Sequence, residues 1–176
     1  CAPGGAPTSI GCFITAHDLE TGRELWRFNT IAQPGEPGGD TWNNLPADQR
    51  WGASVWTPPS YDPELNLLFV GTGSPYPWSS IQRGTYNPEG GGHHGDILYT
   101  SSTLAMNPDT GELIWYYSHL PNDTFDQDYA FERVIVPIEW QGQQRKAVIT
   151  AGKPAVIEVL DAATGEFLYA KDPGAQ

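Results

Sequence analysis

Positive charge is scarce in this 176-residue chain: nine Lys and Arg stand against 21 Asp and Glu, for a net charge of −12 at pH 7. Nucleic acids and anionic membranes are polyanions that recruit Lys and Arg, so neither is expected as a partner. No apolar run approaches the ~20 residues of a membrane helix, and no basic-then-apolar leader opens the chain, so no membrane span is expected. Cysteine is nearly absent, with Cys1 and Cys12 alone. One bridge is permitted and none is demanded, and an oxidising compartment is allowed. A phosphate loop, a nucleophile elbow, a paired-Cys zinc motif and a dinucleotide fingerprint are all missing, which removes the enzyme classes they serve.

Aromatic residues are plentiful, at 12% with seven Trp, and 20 Gly and 16 Pro are spread along the chain. That composition suits many short strands joined by tight turns, an all-β protein with a sizeable core. One pattern recurs three times: Asp18, Thr21 and Gly22 leading to Trp26; Asn107, Thr110 and Gly111 leading to Trp115; Asp161, Thr164 and Gly165 leading to Tyr169. Its physics is that of a hairpin. Asp or Asn bonds the turn backbone, Gly supplies the positive φ, and the second strand carries an aromatic to pack between sheets. The glycines are 111 − 22 = 89 and 165 − 111 = 54 residues apart, and the longer interval holds a further strand pair at 60–70, read as a degenerate unit. A propeller blade takes roughly 40 to 50 residues, so the chain is expected to be a β-propeller fragment of about three to four four-stranded antiparallel blades. A β-sandwich with coincidental turns is the alternative. Two polar stretches, 33–50 and 79–95, are too long for hairpin turns and are expected to project as functional loops.

Three carboxylates, Asp123, Asp126 and Asp128, fall within six positions; such crowding raises a pKa or calls for a cation. The bland reading is a solvated acidic loop. Trp51 and Trp56 flank small residues and form a possible platform for a planar ligand, with core packing as the alternative. Lys153 is the sole cation in an apolar, strand-like run at 147–160, and is either a ligand contact or a strand-end Lys reaching water. His93 and His94 sit in a Gly-rich loop with only Asp96 nearby as a further metal donor.

In order along the chain come Val55-Trp56, Tyr61-Asp62-Pro63-Glu64-Leu65-Asn66, Gly71-Thr72-Gly73, Asp123-x-x-Asp126, and Lys153 before Val159-Leu160-Asp161. This series resembles the catalytic subunit of quinoprotein alcohol and methanol dehydrogenases, eight-bladed propellers that bind pyrroloquinoline quinone on the ring axis. The resemblance implies that residues 1–176 are part of a single propeller domain, truncated at both ends. Trp56 matches the Trp on which the quinone stacks, Ser54 a hydroxyl residue that hydrogen-bonds it, and Lys153 the basic residue at the reactive carbonyl. Asp126 matches the general base that takes the alcohol proton, and Asp128 the additional carboxylate of lanthanide-using members. Calcium or a lanthanide ion would then have Asp126, Asp128 and Ser74 as ligands. Pro7 and Ser74 stand where the family places a metal-binding Glu and Asn; Pro offers only its carbonyl and Ser a neutral hydroxyl. The family's Trp before the base is Phe125 here.

The implied function is hydride transfer from an alcohol or other small hydroxylated substrate to bound quinone in the periplasm, with electrons leaving to a cytochrome c or similar acceptor. The alternative is a non-catalytic propeller scaffold or binding module, in which Asp126, Asp128 and Lys153 form an ion cluster serving structure only. A third reading is a sugar- or polymer-binding propeller using exposed Trp42 and Trp78. An incomplete ring leaves edge strands and apolar blade faces uncovered, so the isolated fragment is expected to self-associate; a sharp monomeric profile with cooperative melting contradicts this.

Overall fold

The computed structural model describes residues 12–86 and 95–174; Cys1, Pro7, His93 and His94 lie outside them. Among the described residues the strands are β1 (Phe13–His17), β2 (Glu24–Asn29), β3 (Trp51–Gly52), β4 (Ser60–Asp62), β5 (Leu67–Gly71), β6 (Pro75–Tyr76), β7 (Ser102–Met106), β8 (Leu113–Ser118), β9 (Val134–Trp140), β10 (Gln143–Ala151), β11 (Ile157–Asp161) and β12 (Phe167–Lys171), with one α-helical turn, α1 (Ser80–Arg83), and short 3-10 turns at Gly39–Trp42 and Ala47–Gln49. They form four antiparallel sheets: β1-β2, β4-β5-β7-β8, β9-β10-β11-β12 and the small pair β3-β6. This is the blade architecture expected from the repeats.

The strand pair at 60–70 is not a degenerate unit of its own. β5 pairs with β7, from Leu68↔Met106 to Gly71↔Thr103, so the pair completes the blade that carries the second repeat. The surplus length of the first interval lies instead in the segments before β4 and between β5 and β7. No local signal distinguishes these cases, because strand partnership is a long-range choice.

Each repeat folds as its residue types dictate. Asp18 Oδ1 accepts from the Thr21 N–H at 2.8 Å and the Thr21 hydroxyl at 2.6 Å. Asp161 Oδ1 accepts from the N–H groups of Ala163 and Thr164, both at 3.0 Å. Gly22, Gly111 and Gly165 hold φ values of 71°, 74° and 74°, which a side chain strains to adopt. The strand before each turn shifts register at the same place, at Ala16/His17, Ala105/Met106 and Val159/Leu160.

The repeat aromatic packs on the next repeat's turn. Trp26 Nε1 donates to the Pro108 carbonyl at 2.9 Å, and a Cβ on Gly111 would lie 2.5 Å from the Trp26 ring. Trp115 Nε1 donates to the Ala162 carbonyl at 3.1 Å, and a Cβ on Gly165 would lie 2.7 Å from its ring. The indoles dock successive blades, burying Val70, Leu104 and Met106 in the first junction and Phe69, Ala105 and Val148 in the second. Tyr169 instead stacks on Trp140 within its own sheet, ring centroids 5.5 Å apart.

The stretch at 33–50 is a folded plug rather than a projecting loop. Trp42 is fully buried among Ile31, Ala53 and Ile97, and its indole donates to the Leu98 carbonyl at 2.7 Å. Arg50 is buried beside it, satisfied by the carbonyls of Ala32 at 2.6 Å and Leu45 at 2.8 Å. Trp42 is therefore no exposed platform for a sugar or polymer, whereas Trp78 is half exposed. The polar composition of the stretch hid its core residues.

Replacing Gly111 with Ala forces both a positive-φ backbone and a collision with the Trp26 ring. We expect a loss of about 1–3 kcal/mol of stability, measured by denaturation of the full-length polypeptide; Gly22→Ala, where nothing stands within 4 Å, should cost less.

Candidate active site

The segment between β8 and β9 holds the carboxylates. Asp123 is buried, and its side chain accepts from the backbone N–H groups of Phe125 at 2.8 Å and Gln127 at 2.6 Å. It shapes the loop rather than facing the other carboxylates. Asp126 and Asp128, at φ 58° and 23°, sit in the left-handed region that L-residues occupy only when held there. The holding comes partly from Arg83 of α1, whose buried guanidinium donates to Asn122 Oδ1 at 2.5 Å and the Asp123 carbonyl at 3.2 Å. Burial lowers the Arg83 pKa to about 10, against the opposing pull of Asp123.

Lys153 is not within a strand. It lies in the turn joining β10 to β11, where its N–H donates to the carbonyls of Gln127 at 3.0 Å and Asp128 at 3.3 Å. Close approach is possible because Gly152 has no side chain; a Cβ there would meet the Tyr129 ring at 2.6 Å and the Asp128 carbonyl at 2.7 Å. The Lys153 ammonium then lies 2.9 Å from Asp126 Oδ2 and 2.5 Å from Asp128 Oδ2. The cation that the carboxylate crowding demands is this one. Partial burial disfavours the Asp126 charge, but Lys153 and Ser74 outweigh it, and the pKa falls below its ordinary value. Burial likewise works against the Lys153 charge, yet bonds to Asp128 and Asp126 raise its pKa overall.

Ser74 closes the arrangement from the Gly71-Thr72-Gly73 motif that follows β5. Its N–H donates to Asp128 Oδ1 at 2.7 Å and its hydroxyl to Asp126 Oδ1 at 3.1 Å. A Cβ on Gly73 would meet the Trp56 ring at 2.5 Å and Asp128 Oδ1 at 3.0 Å, so the indole and the carboxylate press on one backbone site from two sides. About half of Trp56 is exposed to solvent. The Gly73 N–H donates to the Ser54 carbonyl at 2.9 Å. The Ser54 hydroxyl lies 3.6 Å from the sulfur of Cys12, which is disulfide-bonded. Trp51 is set apart from the carboxylates in the β3-β6 pair, opposite Tyr76. Trp56, Ser74, Asp126, Asp128 and Lys153, from separate segments of the chain, thus come together around Gly73, which Ser54 reaches only through its backbone carbonyl.

Beneath them lies a buried layer that the sequence did not single out. The His119 ring stacks on Tyr129, centroids 4.3 Å apart, and its Nδ1 is bonded to Glu158. Arg133 donates to Thr103 Oγ1 from Nε at 3.1 Å and Nη2 at 2.9 Å, leaving the Thr103 hydrogen for His119 Nε2 at 2.7 Å. Burial lowers the His119 pKa despite Glu158, so the neutral ring carries its proton on Nδ1 and donates to Glu158. No local spacing reveals such a layer, because its members belong to three different segments, β7, the β8–β9 connection and β11.

The arrangement fits a planar carbonyl cofactor: a half-exposed indole, and an ammonium with three N–H groups of which two are engaged. It does not fit a calcium or lanthanide ion as folded. Such ions take six to eight oxygens; among the described residues two carboxylates and one hydroxyl converge, and a protein donor already occupies each carboxylate oxygen. Among the described residues no group of three or more His, Cys, Asp or Glu is placed to hold a metal.

Docked blades with a Trp, Lys and paired-carboxylate cluster at their loop ends define a quinoprotein-type propeller. The family model for the glucose/ethanol/alcohol dehydrogenase beta-propeller domain, of the PQQ group, matches residues 6–171, and the chain belongs to this family. The quinohemoprotein alcohol dehydrogenase ADH-IIG of Pseudomonas putida is 36% identical over 96% of this chain and 24% of its own length. The quinohemoprotein alcohol dehydrogenase of Comamonas testosteroni is 35% identical over 96% and 24%. The chain therefore spans about a quarter of these relatives. The solved ADH-IIG structure superposes with a TM-score of 0.80 at 34% identity, over 92% of this chain and 24% of that one. A europium-containing methanol dehydrogenase, 24% identical, shares the fold with a TM-score of 0.79 over 92% of this chain and 29% of its own.

A carboxylate whose folded pKa is depressed contributes stability above its unfolded pKa and loses it as pH falls through the folded value. The stability difference between the wild type and Asp126→Asn should therefore be greatest near neutral pH and shrink as pH falls below 3.8, the ordinary Asp value. Denaturant titrations across that range check it; a difference that grows in acid contradicts the pairing.

Proposed function

We propose that this chain supplies the cofactor floor and the general base of a pyrroloquinoline-quinone-dependent dehydrogenase acting on an alcohol or other small hydroxylated substrate. What supports the reading is the meeting of Trp56, Asp126 and Lys153 around Gly73, within a chain of the family described above. The 176 residues are then one stretch of a single larger propeller. On this reading the protein resides in the periplasm and passes its electrons to a cytochrome c or similar protein; a haem-type acceptor agrees with the name quinohemoprotein that its relatives carry. No helix among the described residues is long and apolar enough to cross a membrane.

Pyrroloquinoline quinone, when bound, supplies the carbonyl carbon that accepts hydride. Trp56 would offer its exposed ring to the planar cofactor, and Ser54 would be the residue to offer it a hydroxyl. The remaining N–H of the Lys153 ammonium would be available to a cofactor carbonyl oxygen, where its charge would stabilise developing negative charge. Asp126, ionised at neutral pH, accepts the substrate hydroxyl proton on a carboxylate oxygen. Its lowered pKa makes it a weaker base but keeps it unprotonated across the physiological range. The strained loop backbone, held by Asp123 and Arg83, fixes the direction of that carboxylate.

A non-catalytic scaffold is the second reading, favoured by the internal satisfaction of all four carboxylate oxygens. Titrating the full-length polypeptide with the quinone, with and without calcium or a lanthanide, separates the two. We expect quenching of Trp fluorescence, weakened roughly 10-fold or more in affinity by Trp56→Ala, the equivalent of ~1.4 kcal/mol. Asp126→Asn should retain quenching while alcohol turnover falls by about 10²–10⁴. Absence of quenching under every metal condition leaves only the scaffold.

A further inference from the structure

The disagreement between the family's metal and this chain's donors has a physical content of its own. Asp126 Oδ1 accepts from the Ser74 hydroxyl at 3.1 Å and Oδ2 from Lys153 at 2.9 Å. Asp128 Oδ1 accepts from the Ser74 N–H at 2.7 Å, and Oδ2 lies 2.5 Å from the Lys153 ammonium. Two negative charges share one positive charge and two neutral donors. A metal ion entering here must displace the ammonium from both carboxylates and then leave it facing a second cation.

The Lys153 backbone is anchored to the same loop: its N–H is bonded to the Gln127 and Asp128 carbonyls, and Gly152 packs against Tyr129, so the side chain starts from beside the carboxylates whose charge it offsets. Ser74 contributes to the same end, because both its donors face the pair, whereas a metal ligand must present a lone pair to the cation.

We propose that Lys153 is the built-in counter-ion of the Asp126–Asp128 pair, standing where a calcium or lanthanide ion would otherwise be held, so that this site binds neither ion. The proposal deepens the dehydrogenase reading above and rests on it for the site's role. Charge balance supports it: an ammonium against two carboxylates leaves one net negative charge, which Asp126 uses as a proton acceptor. Arg at position 153 preserves the balance, whereas an uncharged side chain of similar length removes it and exposes two adjacent carboxylates that then call for an external cation.

The test uses the full-length polypeptide and Tb³⁺ luminescence excited through Trp, with Ca²⁺ and La³⁺ as competitors, in the presence and absence of the quinone. The wild type and Lys153→Arg should show no emission that Asp128→Asn removes. Lys153→Met should gain such emission with at least ~10-fold tighter Tb³⁺ binding, and adding Asp128→Asn to it should abolish the gain. Circular dichroism and thermal melting establish that each variant is folded. Wild-type emission that disappears in Asp128→Asn overturns the proposal, as does a folded Lys153→Met protein with no gain. Failure of the dehydrogenase reading registers separately, as the absence of quinone quenching whatever the Tb³⁺ result.

Discussion

The Lys153 ammonium held between Asp126 and Asp128 is the interaction on which the candidate site depends. Without it two carboxylates would face each other on a loop already strained at φ 58° and 23°, and like-charge repulsion would add to backbone strain. With it, the β8–β9 segment, the β10–β11 turn and the residues after β5 are drawn to one point. The ammonium has three donors and a flexible stem, which suits it to satisfy two partners while keeping one N–H available.

Close approach at glycine makes that convergence possible. Gly73 lies under the Trp56 ring and beside Asp128, Gly152 packs against Tyr129, and Gly71 leaves room for Arg133, whose Nη1 would stand 1.9 Å from a Cβ there. The same device joins the blades, with Trp26 over Gly111 and Trp115 over Gly165. Blade docking sets the positions of the loop ends, and the glycines at those ends let side chains from different segments approach one another. Fold and site are thus two results of one packing rule: a flat ring occupies the space where a side chain is missing.

Much of this was legible in the sequence, and for identifiable reasons. Asp18, Asn107 and Asp161 each announce a turn because short polar side chains bond the local backbone, and those turns form as read. Trp56, Ser74, Asp126, Asp128 and Lys153 stood out through a resemblance spanning nearly the whole chain. What escaped were choices made over long distance. The 60–70 strand pair joins the second repeat's blade through β5-β7 pairing, Trp42 is buried under a polar stretch, and Arg83 and His119 brace the site from elements with no motif. Local pattern states which residues turn or extend; it does not state which partner a strand or a buried Arg will find.

A double-mutant cycle between Lys153 and Asp128, read by denaturant unfolding of the full-length polypeptide at neutral pH, tests the central interaction most directly. Lys153→Met, Asp128→Asn and the combined variant should yield a favourable coupling of about 1 kcal/mol, within the range found for residues in direct contact. Additive effects, with no coupling beyond ~0.3 kcal/mol, would contradict an ammonium shared by the two carboxylates.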